Sequence, residues 1–154
     1  MEEIVKRRTA LKLAAASLIA GSLTVGTAQA GDTVKIGAVA PKTGPLAGGS
    51  TVTHWPNIHL WVHEVNARGG LKLKDGRKMI ELIEYDDQTN PGVHIKAAQR
   101  LATQDKVDFI VAPYGTGFNL ASAPIYAKHG YPQIALSAIS DKVPELTKRY
   151  PGIF

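Results

Sequence analysis

Short apolar runs alternate with stretches of helical periodicity along most of the chain. Val34 to Val39 is an apolar run typical of a strand, whereas Ile58, Trp61, Val62 and Val65 recur at the spacing of one helix face. The same pattern predicts further strands at 79–85, 107–112, 133–136 and 152–154, and helices at 53–67, 91–102 and 121–128. Asn90-Pro91 is a favourable start for the second of these helices.

This alternation is typical of an α/β fold with a parallel, doubly wound sheet. The apolar run Phe109-Ile110-Val111-Ala112 fits a strand that is buried on both faces. Sheets of this kind bind ligands at the carboxyl ends of their strands, where loops meet helix N-termini. The pattern therefore indicates three loops as candidate ligand sites, at 41–50, 114–119 and 137–141.

Residues 1–30 have the composition of a secretory signal peptide. Lys6-Arg7-Arg8 is a positively charged start, 11–25 is a moderately apolar run, and Ala28-Gln29-Ala30 is a typical cleavage site. Arg7-Arg8 also resembles a twin-arginine signal, although Ala10 stands where a large apolar residue is usual. We expect removal of 1–30, export to the periplasm by either the Sec or the twin-arginine route, and a ligand-binding lobe at 31–154.

Composition narrows the class of function. The chain has no Cys, so disulfides, thiolate chemistry and cysteine-bound zinc are excluded. The formal net charge is +5; four cations and two acids in residues 1–30 contribute +2, which leaves +3 on the rest. These positive charges are scattered among acids rather than arranged in a stripe, and we predict no nucleic-acid partner.

Three local patterns could carry chemistry, but each departs from its motif. The glycine-rich run 44–50 lacks the Lys of a phosphate-binding loop. His59 and His63 share one helix face without a third metal ligand, and a solvated face is the better interpretation. Asp86-Asp87 fits turn-forming acids at a strand end. No Ser-His-Asp order or nucleophile elbow is present, so we predict no catalytic residue, no metal and no cofactor.

The most informative segment is Tyr114-Gly115-Thr116-Gly117-Phe118, between a predicted buried strand and a helix. Its glycines allow close approach of a ligand to the backbone, and free N–H groups at a helix start attract an anion. Thr116 adds a hydroxyl, while Tyr114 offers an apolar wall. The loop from Ser137 to Ser140 supplies hydroxyls and carbonyls suited to an ammonium group. On the residues alone, simple helix capping remains an alternative.

Taken in order, five segments resemble the branched-chain amino-acid-binding family, the type I periplasmic binding proteins that serve ABC transporters. The segments cover nearly all of 31–154: VKIG with TGPL at 34–37 and 43–46, VNARGG at 65–70, YDDQTNP at 85–91, VDFIVAPY at 107–114, and ALSA with PEL at 135–138 and 144–146. Pro56 departs from the pattern in the first helix, where we expect it to lie in the first turn.

The resemblance implies two α/β lobes that close on an amino acid, with the first lobe holding its carboxylate and ammonium groups. Thr116 would bind the carboxylate between Gly115 and Gly117. The carbonyl of Ser137 would meet the ammonium group, and Ser140, or Ile139 in its place, would supply a further partner. The second lobe and the hinge would follow Phe154, so this chain would hold the first lobe alone.

We therefore expect a periplasmic receptor rather than an enzyme. It would deliver a branched-chain type amino acid to the membrane subunits of an ABC importer and act as a monomer when full length. A receptor for another small carboxylate, an aromatic acid or an amide is the alternative on the same fold. A small exported α/β hydrolase is the alternative from another class.

Overall fold

The computed structural model describes residues 33–154, so the signal peptide expected at 1–30 lies outside the described residues. Within this part of the chain, four strands and five α-helices follow one another, with a π-helical turn at Leu101–Asp105. The strands are β1 (Thr33–Ala40), β2 (Leu71–Leu73), β3 (Gly76–Asp86) and β4 (Phe109–Val111). The helices are α1 (Ala47–Thr53), α2 (Trp55–Ala67), α3 (Pro91–Arg100), α4 (Thr116–Lys128) and α5 (Val143–Arg149).

The sheet has the order β2-β3-β1-β4, and β1 pairs in parallel with both β3 and β4. β1 lies at the centre because its side chains are apolar on both faces; Ala38, Val39 and Ala40 are fully buried. On one face, Val39 packs with Leu101 and Tyr126 from the α3 and α4 side. The other face is covered by α2, whose residues Trp55 and Ile58 pack on Ala38 and Ala40. The predicted doubly wound α/β class is confirmed.

Several predicted helix boundaries are confirmed. Asn90 caps α3, since its Oδ1 accepts hydrogen bonds from the N–H groups of Gly92 at 2.8 Å and Val93 at 3.1 Å. Pro56 lies in the first turn of α2, where a missing N–H has no cost. His59 and His63 are exposed on this helix, as expected for a solvated face.

Other elements differ from the sequence-based prediction. The glycine-rich segment 41–50 is not wholly a loop, since α1 begins at Ala47. The helix predicted at 121–128 begins earlier, at Thr116. The short strand β2, antiparallel to β3, and the helix α5 were not predicted. Short or glycine-containing elements give too few apolar repeats for periodicity to mark them.

The predicted strands at 133–136 and 152–154 are wrong as members of the sheet. Only one bridge forms there, between Gln133 and Ile153, and neither segment pairs with β4. The chain bends because the N–H of Leu136 donates to the carbonyl of Ile134 at 2.9 Å, a tight turn that ends the extended run. Leu136 is consequently 89% exposed.

None of the helices within residues 33–154 has both the length and the apolar character of a membrane-spanning segment.

Candidate functional site

Two of the three predicted ligand loops meet at the carboxyl edge of the sheet. The N–H of Gly115 donates to Ser137 Oγ at 2.9 Å. The N–H of Ile139 donates to Thr116 Oγ1 at 2.8 Å, and this hydroxyl lies 3.3 Å from the Ile139 carbonyl oxygen. The loops that follow β4 and Ala135 are therefore joined by hydrogen bonds at two points.

The N-terminus of α4 has groups suited to an anion. Gly115 precedes the helix with φ +95°, a left-handed conformation that favours glycine. The first helical bond runs from the N–H of Asn119 to the Gly115 carbonyl, so the N–H groups of Thr116 and Gly117 have no intrahelical partner. Free N–H groups and the positive end of the helix dipole favour a carboxylate at this point.

Thr116 is oriented to contribute to the same site. Its Oγ1 accepts the Ile139 N–H at a normal distance, whereas the 3.3 Å contact with the Ile139 carbonyl is long for an O–H donor. The Thr116 O–H can therefore rotate to donate a hydrogen bond to a carboxylate oxygen, while Oγ1 continues to accept the Ile139 N–H. Gly117 is exposed, and a Cβ there would contact nothing within 4 Å.

The Ser137 and Ser140 hydroxyls are already used within the chain. Ser137 Oγ donates to the Pro113 carbonyl at 3.0 Å while accepting from Gly115. Ser140 Oγ accepts the Lys142 N–H at 3.2 Å just before α5. The Ser137 carbonyl oxygen accepts no hydrogen bond from residues 33–154, and it is an available acceptor for an ammonium group.

Two buried amides behind the loops fix their shape. Asn119 Nδ2 donates to the carbonyls of Pro113 at 2.8 Å and Gly115 at 2.9 Å. Gln133 Nε2 in turn donates to Asn119 Oδ1 at 2.8 Å, and both side chains are fully buried. Buried networks of this kind hold loops rigidly because an unpaired amide would be costly. Sequence reasoning missed this pair, since a single Asn or Gln has no signature of burial.

The acids at the end of β3 fasten the third loop. Asp86 accepts hydrogen bonds from the Thr43 hydroxyl at 2.7 Å and the Lys42 N–H at 2.8 Å. Burial alone would raise the pKa of Asp86, but these hydrogen bonds outweigh it and hold the pKa below its usual value. Asp87 is fully buried and lies 3.0 Å from His94 Nδ1. The N–H groups of Gln88 and Thr89 donate to Asp86 Oδ1 and Asp87 Oδ1, so the interpretation as turn-forming acids is confirmed. Within 33–154, no group of three or more His, Asp or Glu side chains could hold a metal ion.

Tyr114 and Ser137 also line a pocket of about 400 Å³ between the start of α2 and the end of β4. His54, Asn57 and Trp61 form its α2 wall. A larger pocket of about 660 Å³ lies elsewhere, against Tyr131 and Tyr150, and none of its lining residues belongs to the ligand loops. The candidate ligand loops therefore adjoin the pocket of about 400 Å³ and not the larger one.

A parallel sheet with helices on both faces and ligand loops at its carboxyl edge is the architecture of a type I periplasmic binding protein lobe. The periplasmic binding protein family model matches residues 33–154, and the chain belongs to this family.

The Leu/Ile/Val-binding protein homolog 7 of Brucella abortus is 27% identical over 129 residues, which are 82% of this chain and 30% of the relative. The isoleucine complex of the Streptococcus pneumoniae branched-chain amino acid transporter substrate-binding protein LivJ is 33% identical with a TM-score of 0.69, over 79% of this chain and 33% of LivJ.

A Rhodopseudomonas palustris solute-binding protein of an ABC transporter, in complex with 3,4-dihydroxybenzoic acid, is 30% identical with a TM-score of 0.60. It matches over 79% of this chain and 31% of its own length. This chain thus spans about a third of the length of the relatives it matches. All three of these relatives are described as binding proteins.

Proposed function

We propose that this protein is the substrate-binding component of an ABC importer and that its first lobe takes part in capturing an amino acid, of branched-chain type, between two lobes. The observation that carries the proposal is the pair of hydrogen-bonded loops at the N-terminus of α4. One loop offers donors for a carboxylate and the other offers an acceptor for an ammonium group. A zwitterionic α-amino acid needs both at neighbouring positions.

The carboxylate would lie at the first turn of α4. The N–H groups of Thr116 and Gly117 and the Thr116 hydroxyl are the donors available to it. Hydrogen bonds to a charged group contribute about 1.5–3 kcal/mol each. Two or three of them supply a large part of the roughly 8 kcal/mol that micromolar affinity requires.

The ammonium group would be held by the loop after Ala135. The Ser137 carbonyl oxygen is free to accept, and Ser140 and Ile139 lie next along this loop. The Ser137 hydroxyl itself would act indirectly, by fixing Gly115 in place. Tyr114 would provide the apolar wall beside the ligand.

Support for a branched-chain amino acid comes from the relatives. The LivJ structure contains isoleucine, and the curated relatives are described as Leu/Ile/Val-binding homologues. A second candidate ligand is an aromatic carboxylate, as in the 3,4-dihydroxybenzoic acid complex. The polar residue Asn57 in the adjoining pocket favours this second candidate, since a purely aliphatic side chain would not pair with it.

The partners follow from this role. Signal-peptide removal would leave a periplasmic protein that acts as a monomer and docks on the membrane subunits of its transporter. No cofactor or nucleic acid takes part in such a role, and no chemical step is needed.

Calorimetric titration of the full-length protein with a panel of amino acids and aromatic acids tests the proposed function. We expect saturable binding without turnover. Turnover of a bound ester or amide would favour the hydrolase instead.

A further inference from the structure

A buried pair of titratable side chains takes no part in the proposed ligand contacts. His94, on α3, and Asp87, just after β3, are both fully buried. His94 Nδ1 lies 3.0 Å from Asp87 Oδ2, and Asp87 Oδ1 accepts the Thr89 N–H at 2.9 Å. A carboxylate only accepts hydrogen bonds, so His94 Nδ1 carries a proton and is the donor. Asp87 therefore fixes the orientation of the imidazole ring.

The His94 ring packs on the first turn of α4. The ring centroids of His94 and Phe118 are 4.7 Å apart, with an angle of 35° between the ring planes, and Phe118 is buried. Phe118 is the third residue of α4, after Thr116 and Gly117. A Cβ on Gly115 would lie 4.0 Å from the Phe118 ring. Phe118 thus packs against the turn that carries the free N–H groups.

Backbone hydrogen bonds hold Asp87 and His94 at a fixed separation. The N–H of Asn90 donates to the Asp87 carbonyl at 2.8 Å, and the N–H of His94 donates to the Asn90 carbonyl at 2.9 Å. Close contacts therefore run without a break from the end of β3, through the His94 ring, to Phe118. Side chains packed at the density of a protein interior transmit small displacements. A shift of the His94 ring would consequently move the first turn of α4.

The second ring nitrogen of His94 argues against a role in packing alone. Nε2 is buried and bonds to no group within residues 33–154. A buried polar atom without a partner is costly, and phenylalanine or leucine would fill the same space without this cost. Neither could donate to Asp87, and the bond to Asp87 is what fixes the plane of the ring. Histidine at this position is therefore suited to holding Phe118 in a set place.

We propose that His94 is a positioning residue for the anion site. Held by Asp87, its ring sets the place of Phe118 and hence the directions of the Thr116 and Gly117 N–H groups. His94 itself does not touch the ligand. This proposal rests on the proposed function, since it assigns the carboxylate to the first turn of α4.

Calorimetric titration of the full-length protein with isoleucine and with 3,4-dihydroxybenzoic acid, both carboxylic acids, tests the proposal. His94→Phe retains a ring beside Phe118 but cannot donate to Asp87. We expect each acid that binds the wild type to bind this variant about tenfold more weakly, because one misplaced hydrogen bond to a carboxylate is worth about that factor.

Leu101→Val is the matched control for a loss of stability. Leu101 is fully buried and packs with Val39 and Tyr126, so this variant is destabilised through other contacts than those of His94. It should bind the same acids as the wild type does. Equal losses of affinity in Leu101→Val and His94→Phe would overturn the positioning role and leave the proposed function standing.

The conservative variant Asp87→Asn should retain binding. Its side-chain oxygen can still accept the Thr89 N–H, while its amide NH₂ donates to His94 Nδ1. The imidazole proton then lies on Nε2 and the ring keeps its place. We expect affinity at least equal to that of the wild type, and imidazole ¹⁵N signals that show the proton on Nε2. Binding as weak as in His94→Phe would overturn the proposal, and this variant decides it if His94→Phe does not fold.

A readout without ligand separates the two proposals. Residual dipolar couplings report the directions of the Thr116 and Gly117 N–H bonds. These directions should change in His94→Phe and stay unchanged in Leu101→Val. Unchanged directions in a folded His94→Phe would overturn the positioning role. If neither acid binds the wild type, the proposed function fails, and the N–H directions still decide whether His94 positions the turn.

Discussion

The hydroxyl oxygen of Ser137 accepts the backbone N–H of Gly115 at 2.9 Å and donates to the Pro113 carbonyl at 3.0 Å. One side chain thus bonds both ends of the turn that leads from β4 into α4. Gly115 has the left-handed φ of +95° that places the first N–H groups of α4 at the carboxyl edge. Ser137 therefore sets the geometry of the turn on which the proposed anion site depends.

Ser137→Ala should loosen this turn. The Gly115 N–H would lose its partner in a half-buried position, which costs about 1–3 kcal/mol. We expect faster hydrogen exchange at Gly115 and ligand affinity weakened by about tenfold. Thr147→Ala is the control, since that hydroxyl bonds the Pro144 carbonyl within α5. Unchanged exchange at Gly115 would show that Ser137 does not fix the turn.

Tyr126→Phe should stabilise the fold. Tyr126 is fully buried in the cluster with Val39 and Leu101, and its hydroxyl has no hydrogen-bond partner among the described residues. Burial also raises the pKa of Tyr126, so the phenol stays protonated. Removing an unpaired buried hydroxyl should increase the free energy of unfolding by about 1 kcal/mol in urea titrations. A clear loss of stability would mean that the hydroxyl has a partner.

Glu84→Gln should lower stability in a pH-dependent way. Burial alone would raise the pKa of Glu84, but its hydrogen bonds and charge pairing with Lys42 and His59 outweigh burial and hold the pKa below its usual value. Because the folded-state pKa is depressed, the stabilisation is complete above the unfolded value of about 4.3 and is lost as the pH falls through the folded value.

The expected difference between wild type and Glu84→Gln at pH 7 is at most about 1 kcal/mol, because the pair is partly open to water. This difference in the free energy of unfolding should vanish at the lowest pH at which the protein remains folded. Glu81→Gln, on the exposed side of the same strand, should show little difference at either pH. An equal loss of stability in Glu84→Gln at pH 7 and at this low pH would exclude a role for the Glu84 charge.

Export should remove residues 1–30. The cleavage motif Ala28-Gln29-Ala30 predicts a mature protein that begins at Gly31, two residues before β1. N-terminal sequencing of the periplasmic protein tests this, and Ala30→Leu should block processing because the site requires a small residue. Retention of Met1, or a start inside β1, would disprove the assignment.

Hydrophobic patterning predicted the helices and strands whose apolar residues recur at regular spacing. β1, β3 and α2 have enough apolar residues at regular spacing to be predicted. The start of α3 could be predicted because Asn90 is a typical N-cap residue. The failure at 133–136 has a local cause, since the tight turn at Leu136 depends on backbone bonding that apolar spacing does not report. Periodicity cannot tell a sheet strand from an apolar segment that bends away.

The sequence predicted that the two candidate loops lie side by side, which the structure confirms, but not the contacts that hold them. Glycines and hydroxyls after a strand mark a ligand loop, which is why Gly115 and Thr116 could be selected from the sequence alone. The Asn119–Gln133 pair that holds the loop could not be selected, because partners 14 residues apart meet only in the fold. The contact between the rings of His54 and Tyr114 was missed for the same reason, since these residues are far apart in the sequence.

The central claim is that Thr116 binds the carboxylate of an amino acid or a related acid at the N-terminus of α4. Calorimetric titration of the full-length protein with its best ligand should show affinity about tenfold or more weaker in Thr116→Ala, since one charge-assisted hydrogen bond is worth at least 1.4 kcal/mol. His59→Ala and Thr103→Ala, both on exposed helix faces, should bind as the wild type does. Unchanged affinity in Thr116→Ala, or loss of binding in His59→Ala instead, would show that the ligand lies elsewhere.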